Sequence, residues 1–318
     1  MPSEANQSMP EPQPQIIGVS APMQRVYGLI HQASAYTYPV LITGEKGSGK
    51  TRAAHVIHSL CPRKASAFVV SDCSIIAPTL AESELFGYEK GAFSGAAQAR
   101  WGLFAFARGG TVLLKEVGNL PLHVQSKFAA MLQEREFRPI GSSHPLPFNA
   151  RVLATSSRDL RADVERGNFR EDLFFRLSAM QINIAPLRER KQDIPLLVDY
   201  FLQKCEAGHS GVAFSDAAMR FLCEHDWPGN VGELEGAVRR AISLASGPAI
   251  EIGDLKLCLE SPDHRRWTAG ITSYLDDRER QGIMDALREA HGDKLAAARM
   301  LGIAESALQK RLQYYNLS

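Results

Sequence analysis

The sequence lacks the features that would assign it to a specialised class of proteins. Lysine and arginine total 36 against 35 acidic residues, so no overall charge attracts nucleic acid or a membrane surface, and any DNA-binding face must be local. No stretch approaches the roughly 18 apolar residues that a membrane-spanning helix needs. The N-terminus has no basic segment followed by an apolar run, which excludes a signal peptide. We therefore expect a cytoplasmic protein without a membrane partner.

Cysteine is scarce as well. The five cysteines form no C-x-x-C pair and show no zinc-ligand spacing with a histidine, so we expect free thiols in a reducing cytosol. His55 and His58 lie three residues apart but lack the H-E-x-x-H spacing of a zinc site. We therefore expect a packed or solvated helix face there instead of a metal site.

The sequence does contain an alternation of short apolar runs and helical segments between residues 15 and 186. This alternation predicts an α/β fold with a parallel sheet and helices on both faces. The predicted strands are residues 40–43, 68–71, 111–114, 152–155 and 181–184. The predicted helices are residues 23–35, 50–60, 122–135 and 159–166. Residues 1–14, with four prolines and no apolar periodicity, are predicted to form a disordered tail.

Beyond Pro186 the strand pattern stops, and we expect only helices. They are predicted at residues 194–206, 216–224 and 231–245. Ser215 is a candidate N-cap of the second helix, and Trp227 is expected to anchor the WPGN turn by burial. These segments predict a small helical subdomain over residues 187–260. A polar linker at residues 261–275 is expected to separate it from a final helical unit at residues 276–318.

A glycine-rich loop between a predicted strand and helix is the most specific motif. It follows the phosphate-loop pattern G-x-x-x-x-G-K-T and comprises Gly44, Glu45, Lys46, Gly47, Ser48, Gly49, Lys50 and Thr51. The glycines let backbone N–H groups face phosphates, and the following helix adds the positive end of its dipole. Lys50 is expected to reach the outer phosphates and the Thr51 hydroxyl to complete a Mg²⁺ shell, which predicts ATP and Mg²⁺ as cofactors. A glycine turn before an ordinary helix is the alternative.

Other segments narrow the function, because a nucleotide alone leaves kinases, GTPases, ligases and motors open. Residues 84–96 read ELFGYEKGAFSGA, which strongly resembles the surface-loop signature GAFTGA of the AAA+ activators of sigma-54-type RNA polymerase. Further signatures of that family are matched, in the right order, by IIGVSAPM (16–23), FREDLFFRL (169–177), PLRER (186–190), DIP (193–195) and WPGN (227–230). The resemblance covers about residues 15–250 and implies an AAA+ subdomain at 15–186 with a helical lid at 187–260.

The resemblance also implies a hexameric ring with ATP at each subunit interface, in which hydrolysis moves a loop that contacts the sigma factor. That loop comprises Gly91, Ala92, Phe93, Ser94, Gly95 and Ala96. An apolar Phe93 between glycines suits a transient protein contact, although a buried turn phenylalanine remains open. Arg170 and Arg176 align with the family's arginine fingers, which act on the nucleotide of a neighbouring subunit. The alternative for these arginines is ordinary pairing with acidic residues on the helix surface.

Three positions depart from the family pattern around the γ-phosphate. The family's second nucleotide motif ends in two acids, but here Lys115 replaces the magnesium-side aspartate, and Glu116 remains to orient water. Lys115 is expected either to turn to solvent or to lie on a phosphate, because a cation near it is repelled by several kcal/mol at an effective dielectric of about 20. Asp72 replaces the switch asparagine, and Gly232 replaces the sensor arginine.

These departures lead to the hypothesis that the chain binds nucleotide but hydrolyses it poorly alone. It is expected to lend Arg170 and Arg176 to a competent neighbour in a mixed ring with a related AAA+ activator. Short activators of this family that control type III secretion (hrp-type) genes in plant-associated bacteria work as such pairs, and the chain is similar to them. No receiver domain is expected before the AAA+ core.

The C-terminal unit resembles the Fis-type helix-turn-helix module of this family. Apolar residues recur at helical spacing over 283–290, a Gly turn follows at Gly302, and residues 305–315 are the predicted recognition helix. The candidate DNA contacts are Lys294, Ser306, Gln309, Lys310 and Arg311. A helical dimerisation hairpin is the alternative for this unit.

The leading interpretation is a sigma-54-dependent activator whose partners are the sigma-54 RNA polymerase holoenzyme, enhancer DNA and either a related subunit or copies of itself. A non-catalytic DNA-binding scaffold subunit of a mixed activator is the first alternative. The second is an unrelated phosphate-loop enzyme.

Overall fold

The computed structural model describes residues 16–205, 212–245, 247, 249–255, 287, 290, 293 and 294. The chain divides into two compact units, residues 1–252 and residues 253–318. In the second unit Lys294 is exposed and helical, and the Asp293 N–H donates to the Ala290 carbonyl. The predicted tail at 1–14, the linker at 261–275 and four candidate DNA contacts (Ser306, Gln309, Lys310 and Arg311) lie outside the described residues.

A five-stranded parallel sheet organises the first unit. The strands in chain order are β1 (Val40–Thr43), β2 (Phe68–Asp72), β3 (Gly87–Tyr88), β4 (Arg100–Trp101), β5 (Thr111–Lys115), β6 (Glu136–Phe137), β7 (Leu146–Pro147), β8 (Arg151–Ser156), β9 (Met180–Asn183), β10 (Ala213–Phe214) and β11 (Ala249–Ile250). The main sheet has the order β2-β5-β8-β1-β9. All its pairings are parallel, so the carboxyl ends of β1, β2 and β5 meet at one edge.

Helices flank this sheet and build the lid. They are α1 (Ala21–Ala35), α2 (Lys50–Leu60), α3 (Ala81–Phe86), α4 (Leu103–Phe106), α5 (Leu122–Glu134), α6 (Leu160–Glu165), α7 (Glu171–Leu177), α8 (Ile194–Cys205), α9 (Asp216–Glu224) and α10 (Asn230–Leu244). Three short 3-10 turns cover Val117–Asn119, Leu187–Glu189 and Lys191–Asp193.

Two apolar clusters cover opposite faces of the sheet. One joins α1 and α2 to the sheet, with Met23 and Ile57 among its fully buried side chains. The other joins α3, α4, α5 and α7, with Phe86, Phe104 and Phe128 at its centre. The central strands β5 and β8 are buried along nearly their whole length, which explains their continuous apolar sequence. The predicted parallel sheet with helices on both faces is confirmed.

The prediction that strands stop after Pro186 is wrong. In the lid, β10 pairs in parallel with β11, although 34 residues separate their ends. Each strand has two residues, too few for an alternating apolar pattern to appear in the sequence. The antiparallel pairs β3–β4 and β6–β7 were missed for the same reason.

The lid confirms two predicted anchors. The Ser215 side chain accepts a hydrogen bond from the Ala218 N–H and caps α9. Trp227 is fully buried, and its indole Nε1 donates to the Leu222 carbonyl at 2.8 Å. Ser215 thus fixes the start of α9, and Trp227 anchors the corner from which α10 begins and reaches the phosphate loop.

The free thiols predicted at four of the five cysteines and the packed histidines are also found, while Cys258 lies outside the described residues. Cys61, Cys73, Cys205 and Cys223 are free, and burial raises the pKa of Cys73 to about 12. The rings of His55 and His58 pack against Phe68, at 4.5 and 4.8 Å between centroids. Within the described part of the chain, no group of acidic, histidine or cysteine side chains could hold a metal ion, and no helix is long and apolar enough to cross a membrane.

Candidate nucleotide-binding site

The phosphate loop connects β1 to α2 in a backbone conformation that requires glycine. Gly44, Gly47 and Gly49 have φ values of 144°, 74° and 108°. A Cβ at Gly47 would lie 2.2 Å from the Gly229 carbonyl oxygen, and one at Gly44 would lie 2.6 Å from the Ile184 oxygen. Packing therefore excludes side chains at Gly44 and Gly47, in addition to the cost of a positive φ.

Two polar side chains of the loop are poised for an anionic ligand. The Ser48 Oγ is buried and has no hydrogen-bond partner within the described residues. Lys50 is buried, and its Nζ donates to the carbonyls of Gly44 and Glu45 at 2.8 and 3.0 Å. Burial lowers the pKa of Lys50, while the nearby Glu116 carboxylate opposes this shift. A buried ammonium, an orphaned hydroxyl and a glycine cradle together fit the phosphates of a nucleotide.

The lid helix α10 begins directly on the phosphate loop. The Val231 N–H donates to the Gly47 carbonyl at 3.1 Å. The Asn230 side-chain Nδ2 donates to the Lys46 carbonyl at 3.0 Å, and its Oδ1 accepts from the Leu187 N–H at 2.7 Å. Asn230 is fully buried, with a φ of 56° that asparagine tolerates better than most residues. The start of α10 therefore ties the phosphate loop to the segment that follows the sheet.

Two arginines reinforce this junction. Arg188 makes a bidentate pair with Glu45 of the loop, at 2.9 and 2.7 Å, and the hydrogen bond from Arg188 lowers the pKa of Glu45. Arg190 is buried, and its Nη2 donates to the Ser48 carbonyl at 2.7 Å while its Nη1 contacts the Met23 sulfur. The loop is thus held by residues about 140 positions further along the chain.

An ion pair links the ends of strands β2 and β5. Asp72 and Lys115 are register partners, and the Lys115 Nζ lies 2.6 Å from Asp72 Oδ2. Asp72 Oδ1 accepts from the N–H and hydroxyl of Ser74. Burial alone would raise the pKa of Asp72, but the hydrogen bonds from Lys115 and Ser74 together lower it. Lys115 is therefore paired within its own chain and does not turn away to solvent, because the departure at position 72 provides its counter-charge, and its contact with a phosphate stays a prediction.

Glu116 is the second carboxylate at this edge. Its backbone has a φ of 53°, and its Oε2 accepts from the N–H and hydroxyl of Ser157 at 2.9 and 2.7 Å. Its Oε1 lies 3.4 Å from the Lys50 Nζ. The structure thus brings Lys50, Lys115, Glu116 and Asp72 together at one end of the sheet.

Gly232 lies where a sensor side chain would face the loop. A Cβ at this position would have only the Gly47 Cα near it, at 3.8 Å, which is an ordinary contact. The first turn of α10 therefore has room for a side chain over the phosphate loop, and the sequence supplies none.

The two candidate arginine fingers bind partners within their own region of the chain. The Arg170 guanidinium pairs with Asp172 through two hydrogen bonds of 3.1 and 2.9 Å. The Arg176 Nη2 donates to the Gln133 side chain at 2.7 Å. Arg170 is exposed and Arg176 is half-buried, and neither has a described contact with the phosphate loop of the same chain.

The loop at residues 91–96 forms an exposed turn. The Gly91 N–H donates to the Ala96 carbonyl at 2.9 Å and closes it. Phe93 is 46% exposed, and its ring packs edge-on against Tyr88 at 4.9 Å. Phe93 is therefore not the buried turn residue that the sequence left open.

Family models match three successive segments of the chain. The sigma-54 interaction domain matches residues 16–183, an AAA+ ATPase lid domain matches residues 188–269, and a bacterial regulatory protein of the Fis family matches residues 274–315. The chain belongs to the sigma-54 activator family. Its AAA+ core, lid and Fis-type module agree with the fold class predicted from the sequence.

The chain is also similar to individual proteins, of which two are regulators compared by sequence and one is a crystal structure. The chain is 40% identical to the nitrogen fixation protein AnfA of Azotobacter vinelandii over 309 residues, which is 95% of the chain and 58% of AnfA. It is 38% identical to the transcriptional regulatory protein ZraR of Salmonella typhimurium, covering 93% of the chain and 68% of ZraR. The crystal structure of NtrX from Brucella abortus in complex with ATP superimposes with a TM-score of 0.70 at 27% identity, covering 94% of the chain and 69% of NtrX. The chain thus spans well under the full length of these relatives.

The sequence did not predict several residues of the nucleotide-binding site. Arg188 and Asn230 belong to the segments PLRER and WPGN, which the sequence marked as family signatures without assigning them a role. Arg190, Ser74 and Ser157 gave no signal, because their contribution depends on contacts across the chain.

Proposed function

We propose that this chain is a subunit of a sigma-54-dependent transcription activator that binds ATP at its phosphate loop. The supporting observation is the junction of loop and lid, in which buried Lys50, orphaned Ser48 and the start of α10 surround the glycine cradle. When bound, ATP supplies the phosphoanhydride bond whose hydrolysis drives activators of this family. The NtrX structure in complex with ATP supports the choice of nucleotide.

We propose further that this subunit hydrolyses ATP poorly on its own. Lys115 occupies the position of a magnesium-side acid and is paired with Asp72. Gly232 leaves the loop without a sensor side chain. Glu116 remains available to orient water, and Thr51 is the one side chain that we assign to a magnesium ion accompanying ATP. The strand ends offer that ion no free carboxylate.

The third part of the proposal concerns the oligomeric ring and the subunit next to this one within it. Exposed Arg170 and half-buried Arg176 have no described contact with the phosphate loop of their own chain, which suits a role at the nucleotide of a neighbouring subunit. A hexamer mixed with a related, competent AAA+ activator would use this subunit as a donor of arginine fingers. Similarity to paired activators of type III secretion genes motivates this choice of partner, and a ring of identical subunits is the alternative.

The loop at 91–96 and the C-terminal module complete the proposed activator. Phe93 is presented to solvent on a turn stabilised by Tyr88, which suits a contact with the sigma factor in a closed promoter complex. The Fis-type match supports enhancer binding by the C-terminal unit, with Lys294, Ser306, Gln309, Lys310 and Arg311 as candidate contacts. We place this activity in the cytoplasm, where promoter DNA is found.

ATP turnover by the purified chain tests impaired hydrolysis. Lys115→Asp alone is a poor restoration, because it places a second carboxylate against Asp72. The informative variant is Asp72→Asn with Lys115→Asp, which recreates the family pattern at both positions. We expect the unmodified chain to release phosphate slowly and the double variant to release it faster. Equal, family-level rates in both proteins would contradict the proposal.

DNA binding tests the class of protein. An activator or a non-catalytic scaffold subunit should bind a promoter-upstream sequence specifically, with an affinity that falls as salt rises. An unrelated phosphate-loop enzyme should not. If DNA and sigma factor both bind but the restored double variant still shows no turnover, the scaffold alternative is favoured.

A further inference from the structure

We infer that this subunit binds the phosphates of ATP without help from a divalent cation, so that metal-free ATP is as good a ligand as magnesium ATP. The inference rests on the proposed nucleotide binding and specifies the chemical form of its ligand. It arises from the hydrogen bonding and the charges at the ends of β2 and β5.

The residues at these strand ends do not fit a magnesium ion. Magnesium takes oxygen ligands in a near-ideal octahedral arrangement, and in nucleotide sites it is held by one or two protein carboxylates together with phosphate oxygens and waters. Both oxygens of Asp72 already accept hydrogen bonds, from Ser74 and Lys115. Both oxygens of Glu116 are also engaged, by Ser157 and by Lys50. The two oxygens with an acceptor site left, Asp72 Oδ2 and Glu116 Oε1, each lie beside a lysine ammonium, so a metal ion could reach a protein carboxylate only against that positive charge.

Charge at the strand ends also opposes a cation. Asp72 with Lys115 and Glu116 with Lys50 form two ion pairs, so the four groups are neutral together. With the family's asparagine and aspartate at positions 72 and 115, the same four positions would have a net charge of −1. The Lys115 ammonium is close enough to Lys50 to lower its pKa further. A divalent ion brought to this edge would therefore meet an ammonium where the family pattern supplies an attractive carboxylate.

The phosphate loop supplies its own stabilisation for phosphate. Lys50 is a buried ammonium, the Ser48 hydroxyl is buried without a partner, and α2 begins at Lys50 with its N–H groups directed toward the loop. None of these groups depends on a metal. The contacts that favour the phosphates are therefore retained, whereas the strand-end carboxylate that favours the metal is lost and only the Thr51 hydroxyl remains for it.

The test is the affinity of the full chain for a fluorescent ATP analogue, measured in excess Mg²⁺ and in excess EDTA at matched ionic strength. We expect the two dissociation constants to agree within about twofold. The matched comparison is the Asp72→Asn, Lys115→Asp double variant, which frees a carboxylate for the metal. Its affinity should fall at least ~tenfold on chelation. Lys50→Ala should lose binding of the ATP analogue both in Mg²⁺ and in EDTA. This variant checks that the measured binding occurs at the phosphate loop.

The outcomes separate the inference from the proposal beneath it. Binding by the unmodified chain that disappears in EDTA overturns metal independence but leaves nucleotide binding intact. Absence of binding in both buffers overturns both. Metal independence in the double variant, with a circular dichroism spectrum like that of the parent, would show that the strand-end charges are not the cause. If the double variant does not fold, the two affinities of the unmodified chain still decide the inference.

Discussion

The two sides of the nucleotide site differ in how closely they follow the family. On one side, the phosphate loop and the WPGN turn retain the family's residue types, although Gly232 in the first turn of α10 does not. This side is held by dense contacts, including Arg188 on Glu45 and Asn230 on the Lys46 carbonyl. On the other side, the ends of β2 and β5 depart from the family's residue types. An ion pair of Asp72 and Lys115 stands where the family pattern has an amide and a carboxylate.

The proposed function interprets this difference as a separation of nucleotide binding from turnover within one site. Phosphate binding depends on backbone N–H groups, a buried ammonium and glycines, all on the side that is retained. Turnover depends on carboxylates and a cation on the side that has changed. The substitutions at positions 72 and 115 also form a pair of opposite charges, so the lysine introduced at the end of β5 is not left without a counter-charge.

Gly47→Ala should have the largest effect, because it breaks the retained side. The new Cβ would lie 2.2 Å from the Gly229 oxygen at a φ of 74°, so we expect a loss of more than about 3 kcal/mol of stability and no measurable ATP binding. Urea unfolding and nucleotide titration measure the two effects. Gly167→Ala is the control, because Gly167 has a φ of 73° but open space around it, and should cost about 1 kcal/mol. Equal losses in the two variants would refute the clash.

Lys115→Asp tests the charge exchange on the altered side. It removes the ion pair and sets two carboxylates against each other, so we expect a loss of about 2–3 kcal/mol in urea unfolding. Adding Asp72→Asn should recover at least half of that loss, because the repulsion disappears. If the changes in free energy of unfolding caused by the two single substitutions simply add up in the double variant, residues 72 and 115 do not interact.

Acid should remove the contribution of the ion pair. The pKa of Asp72 is lower in the folded chain than its usual value, so its stabilisation is present at neutral pH and is lost as pH falls through the folded pKa. Lys115→Met should therefore cost about 1–2 kcal/mol at pH 7 and much less near pH 3. Arg239→Gln, which breaks an exposed pair with Glu235, should cost under about 0.5 kcal/mol at either pH. A Lys115→Met penalty that does not change with pH would contradict this assignment.

Phe93→Ala should have the smallest effect on the fold, below about 1 kcal/mol, because the ring is half exposed. It should nevertheless abolish the proposed contact with purified sigma factor in gel filtration. Phe106→Ala is the control, since Phe106 is 65% exposed outside the loop and should leave that contact unchanged. Retention of the contact by the Phe93 variant would exclude this loop as the sigma-binding surface.

The sequence predicted the fold well wherever long apolar runs or glycine patterns were present. The strands of the main sheet and the phosphate loop fall within one or two residues of their predicted bounds. The sequence did not predict the ion pair of Lys115 with Asp72, because the parallel pairing of β2 and β5 brings together residues that are 43 positions apart in the chain. The clamp of Arg188 on Glu45 spans 143 positions and gives no local signal for the same reason.

The rate of phosphate release at saturating ATP and Mg²⁺ tests most directly whether the altered strand ends separate binding from turnover. The comparison is between the unmodified chain and the triple variant Asp72→Asn, Lys115→Asp, Gly232→Arg, in which the Cβ added at position 232 makes only an ordinary contact with the Gly47 Cα. We predict similar ATP affinity in magnesium and a rate at least ~tenfold higher in the triple variant. An unmodified chain that turns over ATP as fast as the triple variant would contradict the account.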